Sequence, residues 1–453
     1  MIRKYQNIYF LGIGGVGMSG LAGWCIENKY NVLGYDRDDN YFTSKLKSNG
    51  ALISHDICAK KIPIKILDIK KTLVVYTPAV KQSHSLYSFF RRNNFTIIKR
   101  SELLKEVAYD YNVIAIAGTH GKTTVSVMLS HILAASGYSP NAFFGGVSNN
   151  YQSNFLIGHS KYMIVEADEF DKSFLQLEPM LSIITSIDRD HGDTYYDEKD
   201  MLNAYGEFLI NTYHRHKKNN NHDGVKINGL PVVLSSQVEK KNIQYLLNLN
   251  PELAALEFDI LSEKDDSFLD LKLPNFMCHH NICNAMLAAT LAKKIGLSKL
   301  EVENAFKTFQ GVKRRFEYHN KSDKLILIDD YAHHPKELRV LIDSVRKLYS
   351  EKDIFLIFQP HLFSRTQDLE KDFCEILSTV DQLVLFDIYA ARENPIAGVN
   401  SKQLLKKIDL EYKWHSDFQG VQEILIKASP DLIITAGAGD ISKIIPTIKS
   451  ILL

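Results

Sequence analysis

The sequence predicts an α/β fold made of successive strand–helix units. Apolar runs of strand length alternate with segments of helical periodicity along the chain. Two of these runs end in glycine-rich turns that open a helix, GIGGVG and GTHGKTT. Because parallel strands need crossover helices, the alternation favours parallel sheets covered by helices.

The alternation restarts twice, which divides the chain into three expected domains. A length of 453 residues suits two to four domains. The first restart follows Arg100–Tyr111 and the second follows FQGVKRRFE at Phe309–Glu317. The expected domains are residues 1–108, 109–316 and 317–453.

Composition indicates an ordinary soluble protein, with 45% hydrophobic and 24% charged residues. Lys plus Arg is 54 and Asp plus Glu is 53, so a net charge of +1 offers no field for nucleic acid or an anionic membrane. The five cysteines are scattered without metal-ligand spacing, and no apolar run reaches the length of a membrane helix. We therefore expect a cytoplasmic protein with no nucleic-acid or membrane partner.

The first unit opens with strand, glycine turn, helix and strand over Asn7–Gly34. The turn fits GxGxxG through Gly12, Gly14 and Gly17, and Asp36 follows the next strand. This pattern indicates a dinucleotide-type site, where amides at a helix N-terminus face a pyrophosphate. The alternative is a tight turn that needs glycines only for packing.

The second unit opens with IAIAGTHGKTTV, a buried strand that leads into a phosphate-binding loop. Backbone amides and Lys122 could neutralise ATP phosphates, and Thr123 is placed to ligate Mg²⁺. The general pattern wants a glycine five residues before Gly121, where this chain has Ile116. The loop is therefore shorter than in ordinary P-loop NTPases.

Acidic residues follow the next apolar strand, in VEADEFD. Such carboxylates repel each other unless a cation compensates, so we interpret Glu166 as a Mg²⁺ ligand. The alternative is a solvated loop of mixed charge, in which Lys172 partly neutralises the acids. In IDRDHGD, His191 follows another buried strand, which favours metal ligation or substrate contact. We interpret His214–Gly224, which is rich in Asn and Lys, as a solvated loop, and His279–Gly296 as a helix.

Three polar motifs lie at the boundary of the third unit and within it. The arginine pair of RRF (Arg314–Phe316) could serve a transferring γ-phosphate, and Asp330 with His333 and His334 could reach ATP. His361 and Arg365 follow a strand and could bind a carboxylate. Surface turns and helix capping are the alternatives for these motifs.

Taken in their order, these motifs make the chain resemble the Mur ligases. The resemblance runs from Gly12 to about Gly439 through GIGGVGMSG, AGTHGKTT, VEADEFDKSFL, DRDHGDTY, HNICNA, RRFE, DDYAHHPKE, QPHLFSRT, YAARENPIAGV and AGAGD. The joint order is far more specific than any single motif. The short phosphate loop is the form that this family uses.

The resemblance implies a Rossmann-like N-terminal domain, a central P-loop ATPase-type domain and a Rossmann-like C-terminal domain. Residues expected at the UDP-sugar are Gly12, Gly14, Gly15, Gly17, Asp36, Thr77 and Pro78. Residues expected at ATP are Gly118, Thr119, His120, Gly121, Lys122, Thr123, Thr124, Asn281, Asn284, Arg315, Asp330 and His333. His361 and Arg365 are expected at the amino acid. The expected catalytic residues are Lys122, Glu166, His191 and Arg315, and the expected metal ligands are Thr123, Glu166 and His191.

The implied activity is the ATP- and Mg²⁺-dependent joining of L-alanine to the lactyl carboxylate of UDP-N-acetylmuramate through an acyl phosphate. It implies a cytoplasmic enzyme of peptidoglycan precursor synthesis, monomeric or weakly dimeric. A sister ligase that adds a recycled tripeptide shares nearly all these motifs, but YAARENPIAGVNS favours the alanine enzyme. Two alternatives from other classes explain less of the sequence. An NAD-dependent oxidoreductase would have no use for the GKTT loop, and a P-loop ATPase acting as a regulator or motor would not explain the N-terminal glycine turn.

Two positions depart from the family pattern. Cys278 stands where relatives usually have glycine, three residues before the motif asparagine. Leu362 stands where many relatives have arginine, directly after the histidine of QPH. The second departure leaves Arg365 as the expected anchor for the amino-acid carboxylate.

Overall fold

The computed structural model describes residues 1–188, 194–219, 230–249, 251–254, 259–261, 279–391 and 393–453. The chain forms two compact units. The first unit contains Met1–Asn275 and Cys283–Gln310, and the second contains Phe276–Ile282 and Gly311–Leu453. The predicted α/β class is confirmed, while the domain boundaries at residues 108 and 316 stay a prediction.

The first sheet of the first unit has five parallel strands: β1 (Asn7–Leu11), β2 (Asn31–Tyr35), β3 (Leu52–Ser54), β4 (Thr72–Tyr76) and β5 (Thr96–Lys99). Their order in the sheet is β3-β2-β1-β4-β5. The accompanying helices are α1 (Val16–Glu27), α2 (Tyr41–Ser48), α3 (Ser85–Arg92) and α4 (Arg100–Ala108). The strand order reverses at β1, so the turn after β1 lies at the point where α/β sheets bind ligands.

The second sheet of the first unit has seven described strands: β6 (Asn112–Ala117), β7 (Asn141–Ser148), β8 (Ser153–Leu156), β9 (Tyr162–Glu166), β10 (Leu181–Ile184), β11 (Val232–Ser235) and β12 (Asp259–Leu261). Their order is β12-β11-β10-β6-β9-β7-β8, and only the β7–β8 pair is antiparallel among these strands. The helices along this segment are α5 (Lys122–Ala135), α6 (Glu198–Asn219), α7 (Lys240–Leu249), α8 (Pro251–Ala254), α9 (His279–Ile295) and α10 (Lys299–Thr308). Because β6 is central and fully buried, the loop after it starts from a rigid base.

Glycines on α1 allow this helix to pack closely against the β7–β8 hairpin. A Cβ atom on Gly23 would lie 2.3 Å from Cε1 of Phe155, and one on Gly20 would lie 3.4 Å from the Phe143 ring. Buried residues of both sheets belong to one continuous apolar core. The first two sheets therefore share one apolar core, and other residues of the first sheet belong to a separate cluster.

The second unit has one six-stranded sheet: β13 (Glu317–Lys321), β14 (Ile326–Asp330), β15 (Phe355–Phe358), β16 (Gln382–Leu385), β17 (Tyr412–His415) and β18 (Leu432–Ala436). The order is β13-β14-β18-β15-β16-β17, with β13 antiparallel to β14 and the other pairs parallel. Its helices are α11 (Pro335–Leu348), α12 (Phe363–Asp368), α13 (Glu370–Leu377), α14 (Ser401–Lys407), α15 (Val421–Ala428) and α16 (Ile445–Leu452).

Two predictions about local structure have different outcomes. The helix expected at His279–Gly296 is confirmed, and Gly296 ends it with a φ of +109°. The loop expected at His214–Gly224 is wrong over its first part, because α6 continues to Asn219. His214 Nε2 lies 3.0 Å from Glu252 Oε2, so these polar residues are the solvent side of a helix. Asn220–Gly224 lies outside the described residues.

In the part of the chain that the structure describes, no helix combines the length and apolar character needed to cross a membrane.

Candidate active site

The phosphate loop joins the end of β6 to the start of α5. Gly118 and Gly121 have φ values of +126° and +84°, which L side chains rarely adopt. A Cβ atom on Gly118 would lie 2.2 Å from Thr185 Oγ1, and one on Gly121 would lie 2.6 Å from Asn284 Oδ1. Only glycine fits at either position, and the loop delivers the N-terminus of α5 to an anion.

The segment after β10 holds the phosphate loop in shape. Thr119 Oγ1 donates to the Asp188 carbonyl at 3.1 Å and accepts from the Asp188 N–H at 2.9 Å. The His120 N–H donates to Ser186 Oγ at 3.0 Å, and the Thr185 hydroxyl donates to the His120 carbonyl. Sequence reasoning did not single out Thr185 or Ser186, although both directly follow a buried strand.

Lys122 forms a buried ion pair with Glu169. Its Nζ lies 2.9 and 2.7 Å from the two Glu169 carboxylate oxygens, and it also donates to the carbonyls of Gly118 and Thr119. The side chains are only 13% and 2% exposed. Burial disfavours the ammonium, but nearby carboxylates, Glu169 foremost, outweigh it and raise the pKa of Lys122. Lys122 is therefore charged at neutral pH.

Thr123 and Glu166 are neighbouring oxygen-bearing side chains at the phosphate loop. Thr123 Oγ1 donates to Glu166 Oε1 at 3.0 Å, and the Gly145 N–H donates to Glu166 Oε2 at 2.6 Å. A hydroxyl beside a carboxylate is the hard oxygen set that Mg²⁺ prefers. The third predicted ligand, His191, lies outside the described residues.

The acidic residues after β9 each have a cationic or hydroxyl partner. Besides the Thr123–Glu166 and Lys122–Glu169 pairs, Arg100 lies 3.4 Å from Asp168 and Lys99 lies 2.8 Å from Asp171. In the alternative interpretation as a solvated loop, Lys172 would partly neutralise these acids. In the structure Lys172 pairs with Asp200 at 2.7 Å. The acids are therefore held by basic or hydroxyl side chains that come from other elements.

A cavity of about 330 Å³ adjoins these acids. It is lined by four residues predicted for the UDP-sugar, Gly15, Gly17, Thr77 and Pro78, and by Lys99, Arg100, Glu166 and Asp168. Sequence reasoning missed Arg100, although a basic Lys-Arg pair at the junction of β5 and α4 was a visible signal. The cavity thus combines a helix N-terminus, two cations and a candidate metal ligand.

Asp36 braces the N-terminal glycine turn. Its Oδ2 accepts the Gly14 N–H at 2.6 Å, and the Asn40 side-chain amide donates to the Gly14 carbonyl at 3.2 Å. A Cβ atom on Gly12 would lie 2.7 Å from Thr77 Cγ2, so that glycine is needed for close packing. Gly12, Gly14 and Asp36 shape the turn and are not among the residues that line the cavity.

Two predicted ATP residues lie on α9. Asn284 is buried, and its Oδ1 is the atom that a Cβ on Gly121 would strike. Asn281, one turn earlier, is half-buried. The motif HNICNA therefore contributes Asn284 to the wall of the phosphate loop.

In the second unit, Asp330 organises the turn that carries Arg315. Its carboxylate accepts the N–H groups of Phe316 and Ala332, both at 2.7 Å. Burial raises the pKa of Asp330 to about 6, although the charge of Arg315 and the two N–H bonds oppose the shift. The Arg315 guanidinium lies 5.0 Å from the centre of the Tyr331 ring, within cation–π distance.

The predicted amino-acid pair lies beside His333. The rings of His333 and His361 meet edge to face at 5.8 Å, and the Tyr389 ring stacks on His361 at 5.8 Å. Arg365 Nη1 lies 3.4 Å from His361 Nδ1. Leu362 opens α12 with a φ of +70°, an uncommon conformation for a residue other than glycine. The second unit therefore gathers two histidines and an arginine at one edge of its sheet.

A glycine-rich loop at the start of a helix and a cavity lined by two cations are typical of α/β enzymes that bind nucleotides. The description "Mur ligase family, catalytic domain" matches residues 7–112, "Mur ligase middle domain" matches 116–292, and "Mur ligase, glutamate ligase domain" matches 314–439. The chain belongs to the Mur ligase family.

Several proteins are similar to this chain over nearly its full length. A UDP-N-acetylmuramate–L-alanine ligase of Christiangramia forsetii is 40% identical, with 100% of this chain and 99% of that protein covered. The crystal structure of UDP-N-acetylmuramate-alanine ligase from Thermotoga maritima is 24% identical, covers 98% of both chains and has a TM-score of 0.78. A murein peptide ligase of Psychrobacter arcticus is 19% identical, covers 99% of this chain and 98% of its own, and has a TM-score of 0.66. These two structures support the fold.

Proposed function

We propose that this chain joins L-alanine to the lactyl carboxylate of UDP-N-acetylmuramate and converts ATP to ADP and phosphate. The observation that carries the proposal is the position of Glu166. This carboxylate contacts Thr123 of the phosphate loop and also lines the cavity that contains Arg100. A nucleotide loop and a cavity for a second anionic substrate thus share one acidic residue.

Thr123 and Glu166 would hold Mg²⁺, and His191 remains a predicted third ligand. When bound, the ion would neutralise phosphate charge. Lys122 would neutralise the β- and γ-phosphates from the loop, and Asn284 would keep the loop in its binding shape. Asn281, Arg315, Asp330 and His333 remain predicted contacts to ATP.

The reaction runs in two displacements. A carboxylate oxygen of the lactyl group bonds to the γ-phosphorus while the bond to the β-phosphate oxygen breaks, which gives ADP and an acyl phosphate. The amine of L-alanine, after losing a proton, bonds to the acyl carbon and phosphate leaves. Lys99 and Arg100 would bind the anionic sugar nucleotide in the cavity, because both cations line it. His361 and Arg365 would hold the L-alanine carboxylate.

The second candidate is the ligase that attaches a recycled cell-wall tripeptide. It shares nearly all the sequence motifs, and the chain shares its fold with the Psychrobacter arcticus murein peptide ligase at 19% identity. The 40% identical, full-length relative favours L-alanine. We further propose a cytoplasmic protein that is monomeric or weakly dimeric and needs neither nucleic acid nor membrane for this reaction.

Phosphate release from ATP and Mg²⁺ with UDP-N-acetylmuramate tests the proposal. L-alanine, glycine, L-serine and the tripeptide should be compared as acceptors, and release that requires both sugar nucleotide and L-alanine is expected. Release only with tripeptide would establish the second candidate. No release with any acceptor would refute both.

Lys122→Ala provides the matching variant test. We expect turnover to fall by about three orders of magnitude, because charge stabilisation of this kind is worth several kcal/mol in a buried site. Lys240→Ala is the control, since Lys240 is also the first residue of a helix but is exposed. Near-normal turnover of folded Lys122→Ala protein would contradict the assignment of this loop.

A further inference from the structure

The hydrogen-bonding capacity of Lys122 is already fully used within the protein. A lysine ammonium has three N–H donors. In this structure four acceptors surround Nζ: both carboxylate oxygens of Glu169 and the carbonyls of Gly118 and Thr119. A phosphate oxygen can bind Lys122 only if it replaces or shares one of these acceptors.

Glu169 is the charged acceptor in this set, and the protein holds it firmly. Its side chain is 2% exposed. Its carbonyl accepts the hydroxyl of buried Tyr195 at 2.7 Å, which fixes the backbone at this position. Neighbouring Asp168 pairs with Arg100, and Glu169 is the carboxylate that directly contacts Lys122.

The two residues after Glu169 and Phe170 adopt unusual backbone conformations. Asp171 and Lys172 have φ values of +54° and +51°. Such consecutive left-handed residues carry strain, which persists only where surrounding contacts enforce it. The ion pairs of Asp171 with Lys99 and of Lys172 with Asp200 supply those contacts. The turn that presents Glu169 is thus fixed from both sides.

We propose that Glu169 is a positioning residue that holds Lys122 inside the phosphate loop and competes with the polyphosphate of ATP for it. Binding of ATP then exchanges a carboxylate for a phosphate as the counterion of Lys122. The inference rests on the proposed function, because it takes ATP as the ligand of this loop. The exchange keeps the buried ammonium paired at every stage, which a buried charge requires.

The competition sets the affinity for ATP below what the loop could otherwise reach. Glu169→Gln keeps an acceptor of the same size beside Lys122 but removes the negative charge. Phosphate then meets a lysine whose contacting carboxylate has become a neutral amide, and it is repelled by one fewer negative charge. We expect the Kd for ATP to fall about tenfold, the scale of one partly screened charge interaction. The ligand-free variant should be less stable than the wild type, because Lys122 has lost its counterion.

The experiment measures ATP binding to the full chain by calorimetry, and melting temperature with and without ATP. Glu178→Gln is the matched control, because Glu178 is exposed and lies in the same segment. The expected result is a lower Kd and a larger ATP-induced rise in Tm for Glu169→Gln, with neither change in the control. An unchanged or higher Kd in folded Glu169→Gln protein would overturn the inference.

Glu169→Asp covers the case in which Glu169→Gln does not fold. This variant keeps the negative charge, but its side chain is one methylene group shorter and the carboxylate lies further from Lys122. The Kd for ATP should therefore also fall, by a smaller factor than in Glu169→Gln. An unchanged or higher Kd would again overturn the inference. Failure of the proposed function has a different signature, since it abolishes acceptor-dependent phosphate release whatever the Kd for ATP.

Discussion

Asp330 should make the stability of the protein fall as pH rises from about 4 to about 6. Burial raises its pKa from 3.8 to about 6 in the folded chain. Between these values the folded chain binds more protons than the unfolded chain, so the free energy of unfolding decreases with rising pH. The shift corresponds to about 3 kcal/mol, at about 1.4 kcal/mol for each pKa unit.

Asp330→Asn removes this titration and makes the effect measurable. The variant also disturbs one of the two N–H bonds to Phe316 and Ala332, but that loss is a constant offset at every pH. The stability of the wild type relative to the variant should therefore decline by nearly 3 kcal/mol, on the order of the full linkage term, between pH 3.5 and pH 7.

Urea unfolding of both proteins at several pH values is the assay. Asp343→Asn is the control, because Asp343 is exposed on α11 of the same unit. Its difference from the wild type should not show this decline. A flat difference between wild type and Asp330→Asn across this range would refute the argument, because it would mean that Asp330 titrates alike in the folded and unfolded chains.

The remaining predictions concern the Thr123–Glu166 pair proposed for Mg²⁺ and the His361–Arg365 pair proposed for L-alanine. Gly145→Ala would place a Cβ atom 2.3 Å from Glu166 Oε1, so the carboxylate must move, and we expect the Mg²⁺ concentration for half-maximal phosphate release to rise about tenfold. An unchanged Mg²⁺ requirement would remove Glu166 from the metal site. Arg365→Ala should raise the KM for L-alanine at least about tenfold and leave the KM for ATP unchanged, as expected for loss of a carboxylate-binding charge. Arg339→Ala, at an exposed position with an ion pair to Glu375, is the control, and an equal effect of both substitutions on KM would contradict the role of Arg365.

The elements that carry the site were predictable because their signals are local. A buried strand is visible as an apolar run, and Gly118 and Gly121 mark a loop whose backbone conformation other residues rarely adopt. The same holds for α9, where apolar periodicity ends at Gly296. The order of the motifs then led to the family, which the full-length matches confirm.

The pairing of charges was not predictable, because it depends on contacts between distant segments. Four acids lie at the end of β9 or just after it, and the sequence does not tell which of them contacts Lys122. The structure assigns Glu169 to Lys122 and Glu166 to Thr123. Arg100 comes from a different strand–helix unit, 68 residues before its partner Asp168.

The glycine face of α1 has a consequence for how the chain is assembled during synthesis. Gly20 and Gly23 lie against residues of the β7–β8 hairpin, which the ribosome makes more than 100 residues later. Until that hairpin emerges, the helix exposes a flat backbone surface with no side chains to cover it. The N-terminal sheet is therefore not a free-standing module, although its sequence pattern is that of one, and a fragment that ends before β6 would lack part of its own core.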